Sequence, residues 1–255
     1  MAGAGYYLYG LIRTAEDQAY GDIGLEFEGK PSRVYTIRVS SAAAVVSEHA
    51  AVEKVTPLRK NLDRYRAVIQ ELMKTTTIVP VRFGHIAKSK EEISHTLRLN
   101  RDGIRRQLDR VDGHVEMGLK VKWDVDNIFE HFISVDAELA ALRDQLFGRS
   151  SAPSLAEKIE LGRLFVERRT AECDRETARV IEMFHSFYTE VKVNPPKNEA
   201  LVMDLAFLVK REAIKSFEER IYQVAGTFPS HYIFDYTGPW APFNFVDLDL
   251  RTAEE

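Results

Sequence analysis

A single cysteine, Cys173, is present in the 255 residues. It cannot close an internal disulfide, and alone it cannot assemble a thiolate zinc site. The expectation is a reducing, intracellular setting. A secretory start is missing too, because Met1-Ala2-Gly3-Ala4-Gly5 carries neither a positive n-region nor an apolar h-region. No stretch approaches the roughly 18 uninterrupted apolar residues that a spanning helix needs, so no membrane partner is expected. Charge of neither sign dominates: 35 Lys and Arg against 39 Asp and Glu give a net charge of −4. That balance disfavours a nucleic-acid binder built on a basic surface. There is no internal repeat, low-complexity tract or flexible Gly/Ser linker. With 45% hydrophobic and 29% charged residues, disordered and fibrous classes are excluded, and the length fits one large or two small domains.

Signatures of catalysis are equally scarce. There is no G-x-S-x-G elbow and no G-x-x-x-x-G-K-[ST] phosphate loop. Gly3 and Gly5 precede a strand pattern rather than join a strand to a helix, so a dinucleotide loop is not supported. His49, His85, His114, His131 and His231 have no zinc-ligand spacing. Glu-x-x-His occurs twice, at Glu92–His95 and Glu182–His185, and paired on facing helices that motif builds di-iron carboxylate sites. On a helical wheel both pairs point away from the apolar stripes that would line such a core, so no metal and no cofactor is expected. Cys173 falls on an apolar stripe, where it acts as a small hydrophobe.

What is present is a regular alternation of elements. Tyr6 to Ile12 is aromatic and β-branched and predicts a strand. Leu25–Glu28 and Arg33–Val39 flank Gly29-Lys30-Pro31-Ser32, which reads as a hairpin turn, and Ala42–Ser47 as a further strand. Pro57 suits the first turn of a helix whose Leu58, Leu62, Tyr65, Ile69 and Leu72 recur at threes and fours. Thr76–Phe83 reads as a strand. Ser89 with Glu92 three residues on is a capping-box signature. It opens a helix whose Ile93, Leu97, Ile104, Leu108 and Val111 share one face, and His114–Trp123 closes the unit as a strand. This order predicts an α+β sandwich with helices on one side of a mainly antiparallel sheet.

The second half differs. Asp126–Phe147 reads as helix, and Ser154 caps a proline-free segment running to Val193. Leu155, Ile159, Gly162, Val166, Cys173, Val180 and Phe184 recur along it at threes and fours. A rod near 50 Å long follows from about 1.5 Å per residue, which suggests a helix leaning on a partner, with self-association one such arrangement. Ala200–Val209 reads as a strand, Arg211–Ala225 as a helix and His231–Tyr236 as a strand, before a tail rich in proline and aromatics. The expected domains are 1–123 and 124–255.

Arg98, Arg101, Arg105, Arg106 and Arg110 form the one basic run, interleaved with Asp102 and Asp109 at i,i+4 spacing. A salt-laced solvent face is the expectation. The alternative is an RNA-binding module using this Arg98–Arg110 helix, with Tyr7 and Tyr9 stacking on bases.

Four motifs stand out: Tyr-Tyr-Leu-Tyr-Gly at 6–10, Pro-Val-Arg-Phe-Gly at 80–84, Glu-x-Gly-x-Lys-Val at 116–121, and Thr-Gly-Pro-Trp-x-Pro-Phe-x-Phe-Val at 237–246. Together and in this order they resemble the gas vesicle protein GvpL/GvpF family. The sequence departs from its usual pattern at His85, where threonine is common, and at Ala241, where proline is. The resemblance implies two α+β domains, the first a modified ferredoxin-like sandwich, the second carrying the long amphipathic helix. It implies a non-enzymatic accessory or minor structural protein of gas vesicles, located in the cytoplasm at the vesicle. The expected partners are the hydrophobic gas vesicle shell protein and other vesicle accessory proteins, with the shell protein bound in support of assembly and buoyancy. The partner-binding face is expected around Arg82, Phe83, Trp123, Trp240 and Phe243.

Overall fold

The computed structural model describes residues 4–50, 54–248 and 250. The chain forms two compact units, Met1–Glu116 together with Pro239–Glu255, and Met117–Gly238. The aromatic tail, placed in the second domain by the sequence reading, therefore groups with the first unit.

In the first unit, β1 (Ala4–Arg13) is the central strand. After β2 (Ala19–Gly21) come the two-residue arms β3 (Glu26–Phe27) and β4 (Lys30–Pro31), then β5 (Val34–Val39) and β6 (Ala42–Ala50). Helix α1 (Arg59–Met73), β7 (Ile78–Pro80), β8 (Ile86–Ala87), α2 (Lys90–Leu99) and α3 (Arg101–Val111) follow, and β9 (His114–Trp123) begins here but belongs from Met117 onward to the second unit. The sheet runs β2-β5-β6-β1-β7, with β8 also on β1, and all of its pairings are antiparallel. Every residue from Tyr7 to Ile12 is buried. A sheet with helices on one side only would leave half of them in water, so both faces of β1 are covered.

Several expectations shift locally. The tight turn is Glu28-Gly29, both at positive φ (50° and 78°), the conformation of a two-residue hairpin loop. Lys30 and Pro31 pair back on Phe27 and Glu26, and β5 pairs with β6 and β2 instead. The strand expected over 76–83 is cut to Ile78–Pro80. The single helix after Ser89 is two: Asn100 closes α2 and opens α3, its side-chain amide donating to the Thr96 carbonyl at 2.8 Å. The predicted face survives the break, since Ile93, Leu97, Ile104, Leu108 and Val111 are all buried. Ser89 does cap α2, its Oγ accepting the Glu92 N–H at 3.1 Å.

Gly10 lies opposite Pro80, beside a bulge in the β1–β6 register. A Cβ there would stand 2.6 Å from Ile78 Cδ1 and 2.8 Å from the Val79 carbonyl oxygen. The second atom is backbone and cannot swing aside. Gly10→Ala is expected to cost about 1–3 kcal/mol, read as a lowered urea midpoint with an unchanged m-value. A wild-type midpoint would contradict this packing.

The second unit adds α4 (Ile128–Val135), α5 (Ala137–Phe147), α6 (Leu155–Phe184), β10 (Glu190–Asn194), β11 (Leu201–Lys210), a 3₁₀ turn at Arg211–Ala213, α7 (Ile214–Ala225) and β12 (Tyr232–Trp240). Its sheet order is β10-β11-β9-β12. The helix expected over 126–147 breaks because Asp136 caps α5, its carboxylate accepting the Leu139 N–H at 2.8 Å. The long helix is 30 residues and stops at Phe184, because Glu190–Asn194 is recruited as an edge strand on β11. Its stripe is also split. Cys173, Val180 and Phe184 are buried as expected, but Leu155, Ile159 and Val166 are exposed. Leu161, Leu164 and Phe165 are buried in their place, Phe165 meeting Phe129 and Phe132 at 5.3 and 5.7 Å. The first half of α6 leans on helices α4 and α5, the second half on β11 and α7, and the two coverings lie on different sides.

Ser154 and Glu157 form a reciprocal capping box at the start of α6. Arg149, bonded to the Glu157 carboxylate, and then the Ser154 amide and hydroxyl, pull that carboxyl down to about 2. A depressed folded value means a contribution present above the ordinary carboxyl range, about 4.3, and lost as pH falls toward 2. Amide protection factors over residues 155–158 should therefore drop on acidification in the wild type. In Glu157→Ala they should already be low at neutral pH; equal protection in both proteins would contradict the box.

Candidate docking cleft

Four separated stretches of chain are tied together in the first unit. The Val81 N–H donates to the Tyr9 carbonyl at 3.0 Å, and the Leu8 N–H donates to the His85 carbonyl at 3.0 Å. Tyr7 Oη accepts the Gly84 N–H at 2.9 Å, and Gly84 sits at φ 98°, which a side chain would strain. Tyr9 Oη accepts the Leu25 N–H at 2.8 Å and lies 3.0 Å from Ser47 Oγ. From α1, the Tyr65 hydroxyl donates to the Val81 carbonyl. Burial pushes the Tyr7, Tyr9 and Tyr65 hydroxyls above their ordinary values, so they stay neutral and serve as fixed hydrogen-bonding posts.

Around these posts the rings interlock. Tyr65 stacks on Tyr9 at 6.1 Å, meets Phe83 edge-on at 5.6 Å and approaches Phe243 at 6.4 Å. The tail carrying Phe243 is held by Glu116. This buried carboxylate accepts the Asn244 N–H at 2.8 Å and the Asn244 side-chain amide at 2.6 Å. Ala241 and Phe245 are buried on either side of that clamp, which leaves Trp240 and Phe243 held at the surface, 37% and 42% exposed.

The result is a cleft of about 530 Å³ lined by Tyr65, Ile69, Met73, Phe83, Trp240 and Phe243, together with Arg66, Arg82 and Glu116. Arg82 and Phe243 also border a second hollow, of about 540 Å³, reaching Val246 and Leu248. Chemically this is a largely apolar, aromatic surface with two arginines and one hydrogen-bonded carboxylate in its lining, and rigid rings of this kind lose little freedom when they are covered.

Of the residues expected on the partner-binding face, Arg82, Phe83, Trp240 and Phe243 are brought together. Trp123 is not. It belongs to the second unit and is 4% exposed, edge-on to Phe132 at 5.6 Å. Tyr65, Glu116 and Asn244 were missed as parts of the site. From the sequence Tyr65 reads only as a member of the α1 stripe. Glu116 carries only a weak signal, a carboxylate between Val115 and Met117 in a strand that also bears Lys120 and Lys122.

The other candidate chemistries fare differently. Tyr7 and Tyr9 are fully buried, so they cannot stack on RNA bases. In the arginine run, Asp109 pairs with Arg13 of β1, and Asp102 reaches Arg105 at 3.9 Å. The break at Asn100 undoes the i,i+4 geometry expected for Arg98 and Asp102. Glu92 is spent on capping α2, accepting the Lys88 N–H at 2.6 Å. Among the described residues no group of three or more His, Cys, Asp or Glu could hold a metal ion, and no helix is long and apolar enough to cross a membrane.

Compared with known structures, the fold is that of a gas vesicle protein. The crystal structure of GvpF from Anabaena sp. PCC7120 superposes with a TM-score of 0.82 at 21% identity, covering 97% of this chain and all of that one. The model of the gas vesicle synthesis protein GvpL/GvpF family matches residues 5–247, and the chain belongs to that family. It is 27% identical over 259 residues to gas vesicle protein F2 of Halobacterium salinarum, covering all of this chain and 97% of that protein. Gas vesicle protein F of Haloferax mediterranei is 25% identical over 260 residues, with 98% and 96% coverage. The four motifs that carried the resemblance thus belong to a gas vesicle-related protein of mixed α and β structure.

Proposed function

We propose that this chain is a non-catalytic accessory protein that binds the hydrophobic gas vesicle shell protein in the cytoplasm and supports its assembly, shielding or seating an apolar segment of the shell subunit in the Phe83–Trp240–Phe243 cleft. The observation that carries this reading is the clamped tail: Glu116 fixes Asn244, so that two large aromatics stand exposed beside an apolar hollow. A soluble protein has no packing reason to spend a buried carboxylate on presenting Trp240 and Phe243 to water.

Co-expression with the shell protein tests it. Wild type should co-purify with the shell subunit, and Trp240→Ala/Phe243→Ala should lose capture while keeping its circular dichroism. Capture retained by the double variant would move the site; no capture by wild type would remove the reading. Self-association through α6 belongs to the same proposal, supported by the exposed Leu155, Ile159 and Val166. Light scattering decides it, since a monomer mass for wild type at high concentration would end that part.

A further inference from the structure

Two hollows lie side by side in the first unit, one mainly apolar and one mixed, with Val246 and Leu248 beside His85 and Asp247, and the ridge between them is made of Arg82 and Phe243, which border both. Arg82 is exposed and has no ion-pair partner among the described residues. The carboxylates nearest to hand are otherwise engaged or apart. Both oxygens of Glu116 are taken by Asn244. Asp247 borders the second hollow and forms no ion pair with Arg82. Arg66, in the lining of the first hollow, reaches Asp63 alone among the described residues, at 3.9 Å. An unpaired guanidinium between two depressions is a poor surface for a purely hydrophobic segment, because covering it strips its water without offering a counter-charge.

We propose that the segment this cleft accepts carries a carboxylate between two apolar anchors, the anchors filling the two hollows and the carboxylate pairing with Arg82. On a helix this is an apolar residue at i, Glu or Asp at i+3 or i+4, and an apolar residue at i+7, all on one face. Guanidinium and carboxylate match as a two-pronged pair, so the arginine selects the register of the segment while the hollows supply the affinity. The inference rests on reading the cleft as a protein-docking site, and it adds the chemistry of what docks.

Two synthetic 18-residue helical peptides test it, identical except for Glu or Lys between two leucines one turn to either side. Fluorescence anisotropy against the full chain should show the Glu peptide binding at least about tenfold tighter than the Lys peptide at low salt. The difference should shrink toward onefold at high salt, where exposed charges are screened. Arg82→Gln should erase the preference while leaving the Lys peptide no weaker. Phe243→Ala should weaken both peptides alike. Equal binding of the two peptides to wild type, a preference that persists in Arg82→Gln, or no binding of either peptide overturns the inference. Capture of the shell protein is a separate readout. A Glu preference without capture keeps the carboxylate rule and removes the shell protein as partner; capture without a Glu preference does the reverse.

Discussion

Phe207→Ala is expected to lower the stability of the second unit by about 3–5 kcal/mol, the cost of emptying a fully buried aromatic site. Phe207 is fully buried in β11. Its ring lies 5.3 Å from Phe184 of α6, 5.3 Å from Phe217 of α7 and 5.2 Å from Tyr188. The long helix, the following helix and the sheet therefore share one aromatic contact point, and β11 is buried at every position from Leu201 to Val209. No neighbour can relax into the space without abandoning another ring. The control is Leu155→Ala, at a residue 74% exposed, which should stay within about 0.5 kcal/mol of wild type. The contrast discriminates, because periodicity alone put Leu155 and Phe184 on one stripe. A large loss at Leu155 would mean that its face of α6 is covered, and a small one at Phe207 that the ring cluster does not hold α6, α7 and the sheet together.

That pair of residues also marks how far the sequence could be read. Element types were legible wherever local chemistry decides them: the capping residues Ser89 and Ser154, the burial of Ile93, Leu97, Ile104, Leu108 and Val111, and the sheet propensity of 6–12 and 201–209. What failed was long-range. Glu190–Asn194 alternates Val191 and Val193 with polar residues and runs into Pro195, which favours an extended chain, but the helical periodicity before it hid this, and β11 offers the edge that fixes it. The exposure of Leu155, Ile159 and Val166 follows from the position of α4 and α5, which no periodicity of α6 contains. The site shows the same division. Four of the five expected face residues converge because their motifs are bound to one another by β1, Tyr65 and the Glu116 clamp. Trp123 misled because a tryptophan closing an alternating strand looks the same whether it ends in a core or at a surface. Glu116 was hidden because its role depends on Asn244, 128 residues away.

Glu116→Leu should cost about 1–3 kcal/mol and abolish the fixed presentation of Trp240 and Phe243. The substitution roughly keeps the volume and removes both acceptor oxygens. Glu116 accepts from the Asn244 backbone N–H at 2.8 Å and from its side-chain amide at 2.6 Å. Neither donor then meets an acceptor at residue 116, in a site only 7% exposed. A buried donor left without an acceptor carries a penalty of that size, and the lost bonds were charge-assisted. Turning the Asn244 side-chain amide over cannot cure this, because the backbone N–H has no alternative orientation. The tail would then sample other conformations, and each ring that must be re-ordered on binding adds about 0.5–1.5 kcal/mol against docking. Two readouts should move together: a lower urea midpoint, and amide order parameters over residues 240–246 that fall toward those of a free segment. Capture of the shell protein should weaken at least as much as in Phe243→Ala, although residue 116 contributes none of the exposed aromatic surface. A Glu116→Leu protein with a rigid tail and undiminished capture would show that Ala241 and Phe245 hold the aromatics in place unaided, and that the buried carboxylate serves the fold alone.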